Sequence, residues 1–107
     1  MEDNKSYKYE VGEICSMQFG AGFGRVKFYQ VTRRTEKNVW FERLDESFEH
    51  DGYGQVGFKT PLPNSPKRSK EFRRKINNDG GEEFACMPYE GVIQKWNGKP
   101  IYYNSMD

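Results

Sequence analysis

A chain of 107 residues with a formal net charge of +1 is long enough for one domain with a modest core, and too evenly balanced for a uniformly basic nucleic-acid binder. Hydrophobic residues make up only 35% and charged residues 31%, but aromatics reach 16%, so a core built from Phe, Tyr and Trp under a charged surface is expected. No apolar run approaches the roughly 20 residues that cross a bilayer as a helix, which excludes a membrane partner from the expectations.

The N-terminal MEDNKSYKYE is polar and mixed in charge. It has no apolar h-region, which predicts no signal peptide and a cytoplasmic setting. Residues 1–6 read as a frayed tail and residues 7–107 as a single β-rich domain. In a reducing compartment Cys15 and Cys86 are expected as thiols, with a disulfide the less favoured alternative. YEVGEIC, Tyr9 to Cys15, alternates as a first strand entered through a Val-Gly turn. FGAGFGR follows, with glycines at 20, 22 and 24. A phosphate-cradling loop needs a helix after it, whose N-terminal amides face the anion. Here a strand follows, so the loop reads as a flexible turn or as a partner-binding tip presenting Phe19 and Phe23.

RVKFYQVTRR, Arg25 to Arg34, is the strongest strand in the chain, rich in β-branched and aromatic residues. Its apolar alternation begins as Val26 and Phe28, then shifts parity to Tyr29 and Val31, as a β-bulge or burial on both faces would require. Thr35 to Lys37 turn the chain into a second strand, Asn38 to Leu44, giving a hairpin. Asp45 to Gly54 reads as an acidic turn, and Gln55 to Lys59 as a short strand. TPLPNSP, Thr60 to Pro66, reads as an extended loop. KRSKEFRRKI, Lys67 to Ile76, fits a strand or a helix by spacing, with strand preferred. NNDGG is a turn, Glu83 to Met87 a strand, and Pro88 to Trp96 a loop with at most one helical turn. Asn97-Gly98 turns into a last strand. The chain is therefore expected to be mainly β: a small, strongly bent antiparallel sheet or an SH3-like or OB-like barrel, with at most one short helix.

Several short motifs together resemble a family of small uncharacterised proteins carried by bacteriophages and other mobile elements. That family pairs a Tyr-x-Val-Gly-Asp start with a Phe-Tyr-Gln-Val strand and a Trp-Asp-Gly-Lys-Pro ending. The matching positions are Tyr9, Val11, Gly12 and Glu13; Phe28, Tyr29, Gln30 and Val31; and Trp96, Gly98, Lys99 and Pro100. The family commonly carries a Trp-Gly-Tyr stretch where this chain has FGAGFGR. The resemblance implies a compact β-rich domain in a mobile-element setting, so that the cytoplasm expected above is that of a host bacterium, and it implies no settled activity.

Charge is segregated along the chain. Residues 25–43 carry six basic and two acidic groups, and residues 59–75 carry seven basic and one acidic. The densest run is Lys67, Arg68, Lys70, Arg73, Arg74 and Lys75, interleaved with Phe72. Cations beside an aromatic suit phosphate contact with a stacked base, an acidic protein surface, or a solvated face balanced by acidic loops. These residues, with Phe19, Phe23 and Arg25, form the candidate partner-binding set. DESFEHDG offers oxygen ligands without the spacing of a calcium loop. Two cysteines and His50 do not make a four-ligand zinc site, and no cofactor or metal is expected. Neither cysteine sits in an activating motif, and Cys86, between Ala85 and Met87, reads as a packed core thiol. The leading expectation is a non-enzymatic binding protein that occupies the surface of a host or phage protein complex, such as a host defence or nucleic-acid-processing assembly. The alternatives are a DNA- or RNA-binding accessory domain and a cysteine-dependent enzyme using His50 as base.

Overall fold

The computed structural model describes residues 8–19, 25–50, 56–88 and 91–104, and among them there is no helix. Ten strands follow one another: β1 (Ile14–Phe19), β2 (Arg25–Arg34), β3 (Asn38–Arg43), β4 (Asp45–His50), β5 (Val56–Leu62), β6 (Phe72–Lys75), β7 (Asn77–Asp79), β8 (Glu82–Met87), β9 (Gly91–Lys95) and β10 (Ile101–Asn104). Seven of them form one antiparallel sheet in the order β6-β3-β2-β1-β9-β8-β7, and the other three form a small sheet in the order β10-β5-β4.

The large sheet is nearly closed, and the chain itself explains why. Its outermost strands are β6 and β7, yet a single residue, Ile76, separates them in sequence. A sheet whose two ends are joined by one residue must curl until they meet. Ile76 serves both sides of this seam: its N–H donates to the Lys37 carbonyl at 2.8 Å, and its side chain packs on the core. Curling also hides sheet edges that would otherwise invite foreign strands. The expected barrel-like β architecture is thus the observed one.

The parity shift in β2 has a clear cause. Tyr29 and Val31 face the barrel interior with Tyr9, Cys15, Met17, Val39, Phe41, Ala85 and Ile93. Val26 and Phe28 face the other way, into a second cluster with Leu44, against which Ile14, Trp96 and Ile101 pack. One strand therefore supplies two cores, and burial on both faces accounts for the shift. A bulge exists too, but further along, where the β2–β3 register slips between Val31 and Arg33. The barrel core is aromatic. Tyr9 meets Phe41 edge-on at 5.6 Å, and Tyr29 meets Phe72 edge-on at 5.6 Å. Such pairs contribute roughly 0.5–1.5 kcal/mol beyond the area they bury, which lets a polar sequence sustain a core.

Several local expectations are corrected. The first strand is not Tyr9 to Cys15: Val11 and Gly12 form a turn, Gly12 adopts a φ of 92°, and pairing starts at Ile14. Part of the acidic stretch expected as a turn is strand β4, held against β5 by cross-strand partners that include Lys59 for Glu46. The stretch before Trp96 is strand β9, whose Ile93 is buried in the barrel. β5 runs on through Pro61 into the segment expected as loop. Proline is tolerated there because β10 pairs β5 only as far as Lys59, so β5 has one neighbour at that point. Cys86 is exposed, and its neighbour Ala85 takes the core position, because β8 enters the barrel one residue out of the expected phase. Neither cysteine is in a disulfide. Among the described residues no helix is long and apolar enough to cross a membrane. The expected tail at residues 1–6, the loop glycines 20, 22 and 24, and residues 51–54 of the acidic stretch lie outside the described residues.

Candidate functional site

The basic run does not form one surface, because β6 alternates its side chains like any strand. Phe72 pairs across from Phe41 and Arg73 across from Trp40, so Phe72 turns into the barrel and Arg73 turns out. Phe72 is thereby corrected as a base-stacking aromatic: its ring lies 5.6 Å from Tyr29 and 5.9 Å from Phe41. Arg74, on the inner side across from Val39, folds its guanidinium over Phe72 at 5.0 Å. Its Nη1 donates to the Arg73 carbonyl at 2.8 Å. Lys75 is exposed across from Asn38.

The residues before β6 have structural work of their own. Lys67 Nζ donates to the Pro63 carbonyl at 2.7 Å, closing the loop after β5. Arg68 donates Nε to Asp45 Oδ1 at 2.9 Å, and its own N–H donates to the Arg43 carbonyl at 2.8 Å. The Asp45 carboxyl is held below its usual range, first by the Glu46 N–H and then by Arg68. Lys70 is exposed. Of the run, Lys70, Arg73 and Lys75 remain as exposed cations without such duties.

Phe19 is corrected as an exposed tip. It is the last residue of β1, half-buried against the barrel core, with Lys27 Nζ 4.9 Å from its ring centre. Arg25 opens β2 directly across from it and is exposed. Phe23 lies outside the described residues.

What the outer face of β3 adds is a row that runs across three strands. Register sets Arg33, Trp40 and Arg73 side by side on β2, β3 and β6. The Arg33 guanidinium lies over the Trp40 indole at 4.1 Å, a cation–π stack, and reaches Glu71 at 3.6 Å. Thr32, the bulged residue, donates its hydroxyl to the other Glu71 oxygen at 2.6 Å. Glu42, across from Gln30, and Glu71, just before β6, lie on one flank of the row, while Lys75 and the turn residue Lys37 lie on the other. The signal for this row was present in the sequence, in the basic excess of residues 25–43. It was overlooked because the run at 67–75 is denser.

A second polar cluster is internal. Tyr9 Oη donates to the Ile93 carbonyl at 2.6 Å and accepts from the Ala85 N–H at 2.8 Å. Burial pushes the phenol well above its usual range, so it stays protonated and keeps donating. Arg34 Nη1 donates to the Tyr9 carbonyl at 2.7 Å and forks onto both Glu83 oxygens at 2.8 and 3.0 Å. Those bonds hold the Glu83 carboxyl below its usual range and raise Arg34. Every polar atom in this cluster is engaged in holding the barrel together, which makes it structural.

Among the described residues no group of three or more His, Cys, Asp or Glu side chains is placed to hold a metal ion. Cys15 is buried in the barrel, Cys86 is exposed on β8, and His50 belongs to β4 of the small sheet. No protein-family model, no curated protein and no solved structure matches this chain.

Proposed function

We propose that the chain is a non-enzymatic binding protein of a phage or mobile element that occupies an acidic surface on a host or phage protein complex. A complex of host defence or nucleic-acid processing is the partner class, following the resemblance carried by Tyr9, Gly12, the Phe28–Val31 strand and Trp96–Pro100. The observation that carries the reading is the outward row Arg33–Trp40–Arg73, flanked by Lys75. A half-buried indole and two guanidiniums are the residue types that dominate binding energy at protein interfaces. Glu42 and Glu71 beside the row favour a protein partner, because a phosphate backbone would be repelled there while a patterned protein surface can match both signs.

Direct nucleic-acid binding is the second reading, supported by the guanidinium–indole pairing, which combines phosphate contact with a stacking surface. One experiment separates them. Tagged wild type and the Arg33→Glu/Arg73→Glu variant are used to capture partners from bacterial lysate, with and without nuclease. The proposal expects capture that survives nuclease and is lost in the folded double variant. Capture that vanishes with nuclease moves the assignment to nucleic acid. Equal capture by both proteins removes this face as the site.

A further inference from the structure

The face of β2 that carries Val26 and Phe28 is covered, with Leu44 in the same cluster and Ile101 packed on it. Register carries this face across the neighbouring strands. Ser16 and Gln18 of β1 lie across from Phe28 and Val26, and Gln94 of β9 lies across from Ser16. The face thus turns from apolar to polar one strand beyond the covered part. There the chain crosses from β9 to β10, and Ser16, Gln18, Gln94 and Asn97 line a cleft of about 400 Å³ beside that crossing. β10 contributes its edge: Ile101 packs on the second cluster, while the exposed Tyr102 turns the other way, edge-on to Phe58 at 5.9 Å. The crossing turn is pinned. Asn97 Oδ1 accepts the Lys99 N–H at 2.9 Å, and Trp96 Nε1 donates to the Lys99 carbonyl at 2.8 Å. The side chains of Ser16, Gln18 and Gln94 make no hydrogen bond among the described residues. Lys95, the one charged residue of the lining, reaches Glu13 at 3.4 Å.

We propose that this cleft binds a neutral sugar ring. Hydroxyl and carboxamide side chains both donate and accept, as sugar hydroxyls do. A phosphate or a carboxylate would find only Lys95, which already faces a carboxylate. An apolar ligand would cover the hydroxyl and the amides and leave them unpaired. Spacing separates a sugar from a nucleobase. Adjacent strands lie about 4.8 Å apart, and same-face residues of one strand about 6.7 Å apart. Ser16, Gln94 and Gln18 therefore stand at the corners of a triangle. That arrangement suits hydroxyls set around a pyranose, whereas a base edge holds its donors and acceptors in one line. The volume falls within the roughly 300–1,000 Å³ that encloses small ligands. Tyr102 adds an exposed aromatic ring at the margin, suited to the C–H face of a sugar. The site is independent of the β2–β3–β6 face, and the two stand or fall separately.

The test is a heteronuclear NMR titration of the whole chain with the methyl glycosides of glucose, galactose, mannose and N-acetylglucosamine, and with adenosine as the nucleobase probe. At least one glycoside is expected to shift the side-chain amide signals of Gln18 and Gln94 in a saturable way. Gln94→Leu and Gln18→Leu, both at exposed positions, should each weaken that binding about fivefold, the loss of one hydrogen bond between neutral groups. Either variant carries the test if the other does not fold. Arg33→Gln should bind like wild type, since Arg33 is no part of the cleft. Adenosine binding more tightly than every glycoside would give the cleft to a nucleobase and overturn the sugar. The absence of a saturable shift with any glycoside, or unchanged affinity in a folded Gln94→Leu or Gln18→Leu variant, overturns the proposal as well.

Discussion

Arg33 and Arg34 sit side by side at the end of β2, yet Arg33 keeps 59% of its side chain in solvent and Arg34 only 23%. Arg33 has a loose 3.6 Å contact to a half-exposed glutamate, whereas Arg34 forks onto Glu83, which is only 9% exposed. The bulge at Thr32 decides which is which. Without the extra residue, the alternation would turn Arg33 inward across from Val39 and leave Thr32 beside Trp40. With it, Arg33 joins the outer row and Arg34 closes the polar cluster inside. One inserted residue thus separates a charge available to a partner from a charge spent on stability.

The sharpest way to break this comparison is Arg34→Ala. It removes two bonds to Glu83 and one to the Tyr9 carbonyl, leaving a mostly buried carboxylate held only by the Tyr9 N–H. The expected loss is about 2–3 kcal/mol in denaturant melts, scaled below the fully buried case because Arg34 keeps some solvent contact. A loss under half a kcal/mol would show the two arginines to be equivalent. Tyr9→Phe comes next. It leaves the Ala85 N–H and the Ile93 carbonyl unpaired inside the barrel, at a cost of about 1–2 kcal/mol.

A pH series sharpens the same point. Glu83 is held below its ordinary value of 4.5, mainly by Arg34. The unfolded chain therefore takes up that proton more readily than the folded one. The stabilisation is complete above the ordinary value and is lost as the pH falls through the lower folded value. The acid side of a Tm-against-pH curve should be shallower in Arg34→Ala than in wild type, and parallel curves would contradict the pairing. The smallest effect belongs to Arg33→Ala, expected within about 0.5 kcal/mol of wild type because its ion pair is exposed.

Most of the barrel was legible in the sequence where composition and period agreed. The β2–β3 hairpin announced itself by β-branched and aromatic residues, and the Asn78–Gly81 turn by glycines that adopt φ values of 66° and 96°. β4 was missed because its acidic residues are poor strand formers, and only partners distant in sequence, such as Lys59, make the strand worthwhile. β9 was missed because one buried residue, Ile93, leaves almost no period to read. At the candidate site, cation density along the chain pointed to residues 67–75, but strand alternation sent Phe72 inward and loop bonds engaged Lys67 and Arg68. Register, which sequence spacing cannot supply, assembled Arg33, Trp40 and Arg73.

The Tyr9 hydroxyl bonds to backbone groups 76 and 84 residues further along. During synthesis at roughly 5–20 residues per second, this clasp stays open for on the order of 4–17 seconds while β8 and β9 are still being made. Until then β1 has no neighbour on its β9 side, and the aromatic interior faces water. Slow closure of this kind follows from non-local pairing, and it leaves the emerging chain dependent on whatever shields exposed strands in the cell. A slower ribosome, or a stalled one, would lengthen that exposure without altering a single contact of the finished protein.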